Sequence, residues 1–136
     1  MQDYTKLLVW QKARSLTVSM NQVSRPFRPG DAPGLRSQLM RATMSISATI
    51  AEGAGRDSRP DFARFLSMAI ASASEVEHHL RTASDLGVIG EAAHKKALDQ
   101  CIEVRRMLFG LRKTLLQADA RERQTHAPAP RRDDSD

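Results

Sequence analysis

Ten consecutive residues, Ala42–Ala51 (ATMSISATIA), carry no charge, inside a helix-forming run that ends at Glu52 and two glycines, Gly53 and Gly55. A helix at a solvent-facing surface keeps one polar side, so this segment has to be covered on nearly all sides. A second uncharged run, Phe65–Ser74 (FLSMAIASAS), makes the same demand. In a chain of 136 residues the other helices cover part of this surface, and a second copy of the molecule is expected to cover the rest.

The apolar periodicity predicts four helices, at about 7–25, 35–53, 59–87 and 91–123, and no strand. Val9, Ala13, Leu16, Met20 and Val23 form one face of the first helix, which the Arg25–Gly34 segment (RPFRPGDAPG) ends. Leu35, Leu39, Ala42, Ile46 and Ile50 are the stripe of the second, with Gly53 and Gly55 expected as left-handed stops. Ser58-Arg-Pro-Asp61 opens the third: a capping serine, an early proline and an acid in the first turn. Phe62, Phe65, Ala69, Ala73, Val76, Leu80 and Ala83 follow at helical spacing, up to the Leu86–Gly90 turn (LGVIG).

The fourth helix carries a core stripe of Ala97, Cys101, Val104, Leu108, Leu111 and Leu115. Beside it runs a second apolar row, Leu98, Ile102, Phe109 and Leu116. Residues 124–136, with Pro128 and Pro130, are expected to form a disordered tail. Long helices with short links pack as an antiparallel up-down-up-down four-helix bundle, so the predicted fold is all-α, with residues 1–123 as its one domain. A monomeric bundle needs one stripe per helix. The surplus predicts a homo-oligomer whose interface includes Met44, Ile46, Phe65, Ile70, Ile102 and Phe109.

Lys and Arg total 21 against 16 Asp and Glu, a net charge of +5. Residues 121–136 are balanced, so the excess sits on the predicted bundle and is compatible with a nucleic-acid partner. Cys101 is the only cysteine, which excludes an intrachain disulfide and a multi-cysteine zinc site. No leader-like apolar segment opens the chain, and no run approaches the roughly 18 apolar residues of a membrane span. The expectation is a cytoplasmic protein that does not engage a membrane.

Leu7–Ala13 (LLVWQKA), Arg41–Arg56 (RATMSISATIAEGAGR), Phe62–Leu80 (FARFLSMAIASASEVEHHL) and Leu86–Gly90 occur in order. Together they resemble the four-helix-bundle family first described as rRNA intervening-sequence proteins, related to the accessory variability determinant (Avd) proteins of diversity-generating retroelements. The resemblance spans about residues 5–115. It implies an antiparallel bundle assembling into a ring, typically a pentamer, without a catalytic site. Through the Avd relatives it implies a reverse transcriptase and nucleic acid as partners. Ser47 and Thr49 stand where family members often carry proline and asparagine. Losing the proline should leave the second helix unbroken, and threonine lacks the amide contacts of asparagine.

Several motifs carry chemistry on paper. Glu75-Val-Glu-His78 and Glu91-Ala-Ala-His94 have the Glu-x-x-His spacing of di-iron bundles. The other two helices offer no carboxylates at matching height, so no metal or other cofactor is expected. Arg121 and His126 match the Arg-x4-His pattern of HEPN ribonucleases, but in a segment expected to be unstructured. Ala51–Arg56 (AEGAGR) lacks the lysine and preceding strand of a P-loop; a helix stop followed by a tight turn explains both glycines, with Glu52 and Arg56 able to pair across this turn or across a subunit boundary. Cys101 falls on the core stripe.

The densest basic surface is on the fourth helix. At 100° per residue, Lys95, Arg106 and Lys113 lie within about 20° of each other, with Arg105 and Arg112 on a flank. Lys and Arg in such a row can replace phosphate counterions. Asp99 and Glu103 interrupt it at ion-pair spacings, Lys95–Asp99 and Glu103–Arg106. Arg25, Arg28, Arg36 and Arg41 form a second cluster around the first loop. Tyr4 and Trp10 look too isolated for a base-stacking platform, so recognition through the RNA or DNA backbone is expected. The sequence thus predicts a non-enzymatic, homo-oligomeric accessory protein or scaffold for nucleic acid. Its alternatives are an adaptor that binds only a protein, such as a reverse transcriptase, and a HEPN-like ribonuclease.

Overall fold

The computed structural model describes residues 2–30 and 32–133. They form a short 3-10 helix, Tyr4–Lys6, and four α-helices: α1 Leu8–Ser24, α2 Leu35–Ala54, α3 Arg59–Asp85 and α4 Glu91–Thr125. No strand occurs among the described residues. Helix α2 packs on α1 and α3, and α4 on α3 and α1, while the diagonal pairs make no close backbone approach among the described residues. The result is the antiparallel four-helix bundle that short links between amphipathic helices favour.

The predicted stripes meet along the bundle axis. Val9, Ala13, Leu16 and Met20 of α1 face Leu39, Ile46 and Ile50 of α2 across one continuous core. Leu66, Ala69, Ala73, Val76 and Leu80 of α3 and Ala97, Cys101, Val104 and Leu108 of α4 complete it. Small residues draw α2 and α3 together: the hydroxyls of Ser45 and Ser72 lie 2.7 Å apart across that seam. Helix α2 runs unbroken through Ser47. The buried Thr43 hydroxyl donates to the Leu39 carbonyl at 2.7 Å, so no polar group is stranded there.

The helix ends follow local chemistry. Ser58 Oγ accepts from the Asp61 N–H at 3.2 Å, with Pro60 in the first turn, as the Ser-Arg-Pro-Asp pattern requires. Among the described residues, Gly34 and Gly87 have positive φ, at 76° and 70°. Gly53 and Gly55, expected as left-handed stops, are not: Gly53 is helical and buried, and Gly55 has φ −82°. The reason for glycine at 53 is proximity. A Cβ there would sit 2.7 Å from Phe65 Cβ and 2.8 Å from Phe62 Cδ2.

Helix α4 continues to Thr125, past the end that the apolar pattern indicates. Arg121 is therefore helical, and His126 is the residue that caps the end of α4, so neither belongs to a structureless tail. Arg59 of α3 pairs with Glu122, and Arg123 with Asp119 at 3.1 Å, which gives these last turns polar anchors. Residues 128–133 carry no helix or strand, and residues 134–136, the end of the expected tail, lie outside the described residues.

Candidate nucleic-acid interface

The cations of α4 divide into two groups that the sequence did not separate. Arg105 is half-buried and its Nε donates to Glu77 Oε1 of α3 at 2.5 Å. Arg112 Nε donates to Ser67 Oγ, also on α3, at 2.8 Å. Both side chains are tied to the neighbouring helix. Lys95, Arg106 and Lys113 are exposed and form no ion pair among the described residues.

The expected pairs Lys95–Asp99 and Glu103–Arg106 are absent. Glu103 lies on the side of α4 that faces α1, where Lys12 Nζ meets it at 3.5 Å. A partner on an adjacent helix has replaced the i,i+3 neighbour, which leaves the Arg106 guanidinium open to solvent. The result is a cationic edge along α4 with no carboxylate satisfying it, the arrangement that phosphate oxygens complete.

The loop arginines behave differently. Arg36 donates to Asn21 Oδ1 at 3.1 Å and to Ser24 Oγ at 3.4 Å, bracing the end of α1 against the start of α2. Arg28 and Arg36 also border a cleft of about 510 Å³ with Phe27, Pro29, Ala32 and Met40. Arg25 and Arg41 are exposed. The cleft is built from the first loop and α2, and Arg25 and Arg41 are not part of its lining.

The expected assembly residues also divide. Ile46 is fully buried, and Phe65 is 4% exposed. Both belong to the interior of one chain and are corrected from interface to core. Ile46 shares the inward face of α2 with Leu39 and Ile50. Phe65 is covered by the guanidiniums of Arg56 and Arg64, which lie 4.5 and 4.7 Å from its ring centroid. Asp61 holds both arginines, at 3.6 and 2.9 Å, so Arg56 pairs with Asp61 in place of Glu52. Met44 is 51% and Phe109 46% exposed, while Ile70 and Ile102 are half-buried. Met68, which the sequence reading passed over, is 48% exposed on α3.

The remaining motifs hold ordinary contacts. His78 is exposed, and the buried histidine is its neighbour His79, whose Nε2 lies 3.2 Å from Glu75 Oε1. His94 is half-buried, with Nε2 shut from solvent and lacking a hydrogen-bond partner among the described residues. No cluster of three or more metal-ligating side chains is found among the described residues. His126 Nδ1 lies 2.8 Å from the Glu122 carbonyl, which can only accept, so that nitrogen carries the proton. Arg121 lies within α4 and His126 just past its end, at the C-cap, and both are exposed. Tyr4 and Trp10 are not isolated: they meet edge-to-face at 5.2 Å, with Arg14 over the indole at 5.2 Å.

Cys101 is buried in the core, its thiol donating to the Ala73 carbonyl at 3.3 Å. Burial pushes its pKa up to about 12, and the nearby Glu77 carboxylate adds to the rise. It is an apolar filler, not a nucleophile. No helix among the described residues is long and apolar enough to cross a membrane.

Comparison with known proteins places this bundle. No curated protein matches the chain. A crystal structure from Bacteroides thetaiotaomicron, described as a protein of unknown function from the S23 ribosomal protein family, matches with a TM-score of 0.70 at 22% identity. The match covers 78% of this chain and 99% of that one, and at this identity it speaks for the shared fold. Residues 5–110 match the family described as the 23S rRNA-intervening sequence protein, a span that contains α1, α2, α3 and more than half of α4. The chain belongs to the 23S rRNA-intervening sequence protein family.

Proposed function

We propose that this protein is a non-enzymatic, self-assembling scaffold that binds RNA through its phosphate backbone. The observation that carries the reading is the α4 edge of Lys95, Arg106 and Lys113, exposed and unpaired among the described residues, while Arg105 and Arg112 are held against α3. The net charge of +5 and the family's name, which points to ribosomal RNA, support the same partner class. Such a partner sets the protein's working place in the cytosol.

Self-assembly in this reading uses the exposed Met44 and Met68 on α2 and α3. A ring of five copies would repeat the cationic edge around its rim and convert weak contacts into avid ones. No catalysis is assigned, since Arg121 and His126 are both exposed side chains at the end of α4, without a site that holds them in place.

The test is fluorescence anisotropy of labelled structured RNA and duplex DNA over a salt series, on the native protein and on a K95A/R106A/K113A variant. Native binding should be submicromolar at low salt and weaken steeply as salt rises. The variant should bind at least tenfold more weakly, with its log–log salt slope reduced by roughly two to three, one unit per lost contact. Absence of native binding at low salt would overturn the reading and make a protein the partner. RNA cleavage by the native protein, abolished in His126→Ala, would overturn the assignment of no catalysis.

A further inference from the structure

The outer face of α4 has an apolar centre as well as a cationic edge. Phe109 is 46% exposed there, the largest aromatic surface that α4 offers. A groove of about 550 Å³ opens beside it, lined by Phe109, Gly110, Lys113, Leu116 and Gln117 among others. Gly110 keeps the near side open: a Cβ at that position would meet nothing within 4 Å. Leu116, 38% exposed, walls the far end.

The charges around the ring are of one sign. At 100° per residue, Lys113 lies about 40° and Arg106 about 60° to one side of Phe109, and Arg112 about 60° to the other. Between Lys95 and Ala120 the nearest acids, Asp99 and Asp119, are about 80° away, and Asp119 is engaged by Arg123 at 3.1 Å. A second copy presenting this same face would set cationic edges against each other. A polyanion complements both edges, and one with unpaired planar bases also uses the ring.

We infer that Phe109 is a stacking platform for an unpaired nucleobase of single-stranded RNA, with Arg106 and Lys113 holding the flanking phosphates. The inference rests on the proposed RNA association and narrows it to a single strand. The base lies in the groove against the Phe109 ring, and Gly110 leaves room for its edge. The duplex, whose bases are already stacked, uses the cations alone.

The test compares a labelled single-stranded oligoadenylate RNA with an RNA duplex of the same length, on native protein, Phe109→Leu, Phe109→Trp and the K113A/R106A variant. Phe109→Leu should weaken oligoadenylate binding by roughly tenfold and leave the duplex nearly unchanged, since stacking of one base accounts for about that factor. Phe109→Trp should retain or tighten single-strand binding, and K113A/R106A should weaken both ligands. Equal affinity of Phe109→Leu and native protein for oligoadenylate would overturn the stacking role while leaving the backbone reading intact. So would equal losses on strand and duplex, or a changed solution mass of Phe109→Leu, which would make Phe109 a subunit contact. Failure of the native protein to bind either RNA at low salt would remove both.

Discussion

Gly53 of α2 and Phe65 of α3 pack so closely that a methyl group at position 53 would lie 2.7 Å from Phe65 Cβ. This contact fixes how α2 turns into α3 and seats the Phe65 ring under Arg56 and Arg64. Replacing Gly53 by Ala should cost about 1–3 kcal/mol, because a packed interior resists an added carbon. Helix propensity favours alanine by about 1 kcal/mol and offsets only part of that. Chemical denaturation of G53A against the native protein measures the balance. A gain in stability would mean that the two helices yield freely.

The Arg105–Glu77 pair bridges α4 and α3 with Glu77 mostly buried. Arg105→Ala leaves that carboxylate without its partner and should destabilise the fold by about 1–3 kcal/mol. RNA affinity should stay within about twofold, in contrast with the loss expected for K95A/R106A/K113A. Denaturation and anisotropy on the same variant separate the two roles of α4 arginines.

The Cys101 thiol should be inert while the chain is folded. Its pKa is raised from 9.0 to about 12, so the reactive thiolate is scarce at neutral pH. A thiol-specific chromogenic reagent should label the native protein only at the rate of unfolding. Rapid labelling of folded protein would contradict the burial.

The same shift has a pH consequence. Above about pH 9 the unfolded chain loses the Cys101 proton while the folded chain keeps it until about pH 12. The folded state then binds more protons, so stability falls as pH rises through this window, by at most about 1.4 kcal/mol per unit. The native protein should therefore lose stability relative to Cys101→Ala between pH 9 and 10.5. Parallel pH curves for the two proteins would refute this.

Met44 and Met68 are exposed, so charging them should not disturb the core. Met44→Glu and Met68→Glu should keep the helical signal and reduce the mass in solution, as measured by light scattering. An unchanged mass for both would exclude this face from self-assembly.

Much of the fold was legible locally. The capping pattern at Ser58, the stripes of Leu39, Ile46 and Ile50 and of Ala69, Ala73 and Val76, and the punctuation around Gly34 and Gly87 are short-range signals. Each is set by backbone chemistry within a turn or two. Gly53 was read as a stop because its neighbours in sequence suggested one. Its actual reason, Phe65, lies across the bundle seam. Met68 is the one large side chain exposed in the uncharged run Phe65–Ser74, whose other exposed positions are the small Ser67, Ala71 and Ser74, so charge pattern alone does not mark it.

The candidate interface was legible as composition but not as geometry. Periodicity determined an all-helical chain, its stripes and a cationic fourth helix, because which side of a helix a residue occupies depends only on its position in the chain. Which cations stay free was decided in three dimensions. Glu77 and Ser67, which hold Arg105 and Arg112, come from another helix, as does Lys12, which removes Glu103 from Arg106. An ion pair forms with whichever partner packing brings within reach, and across a bundle that partner is remote in sequence.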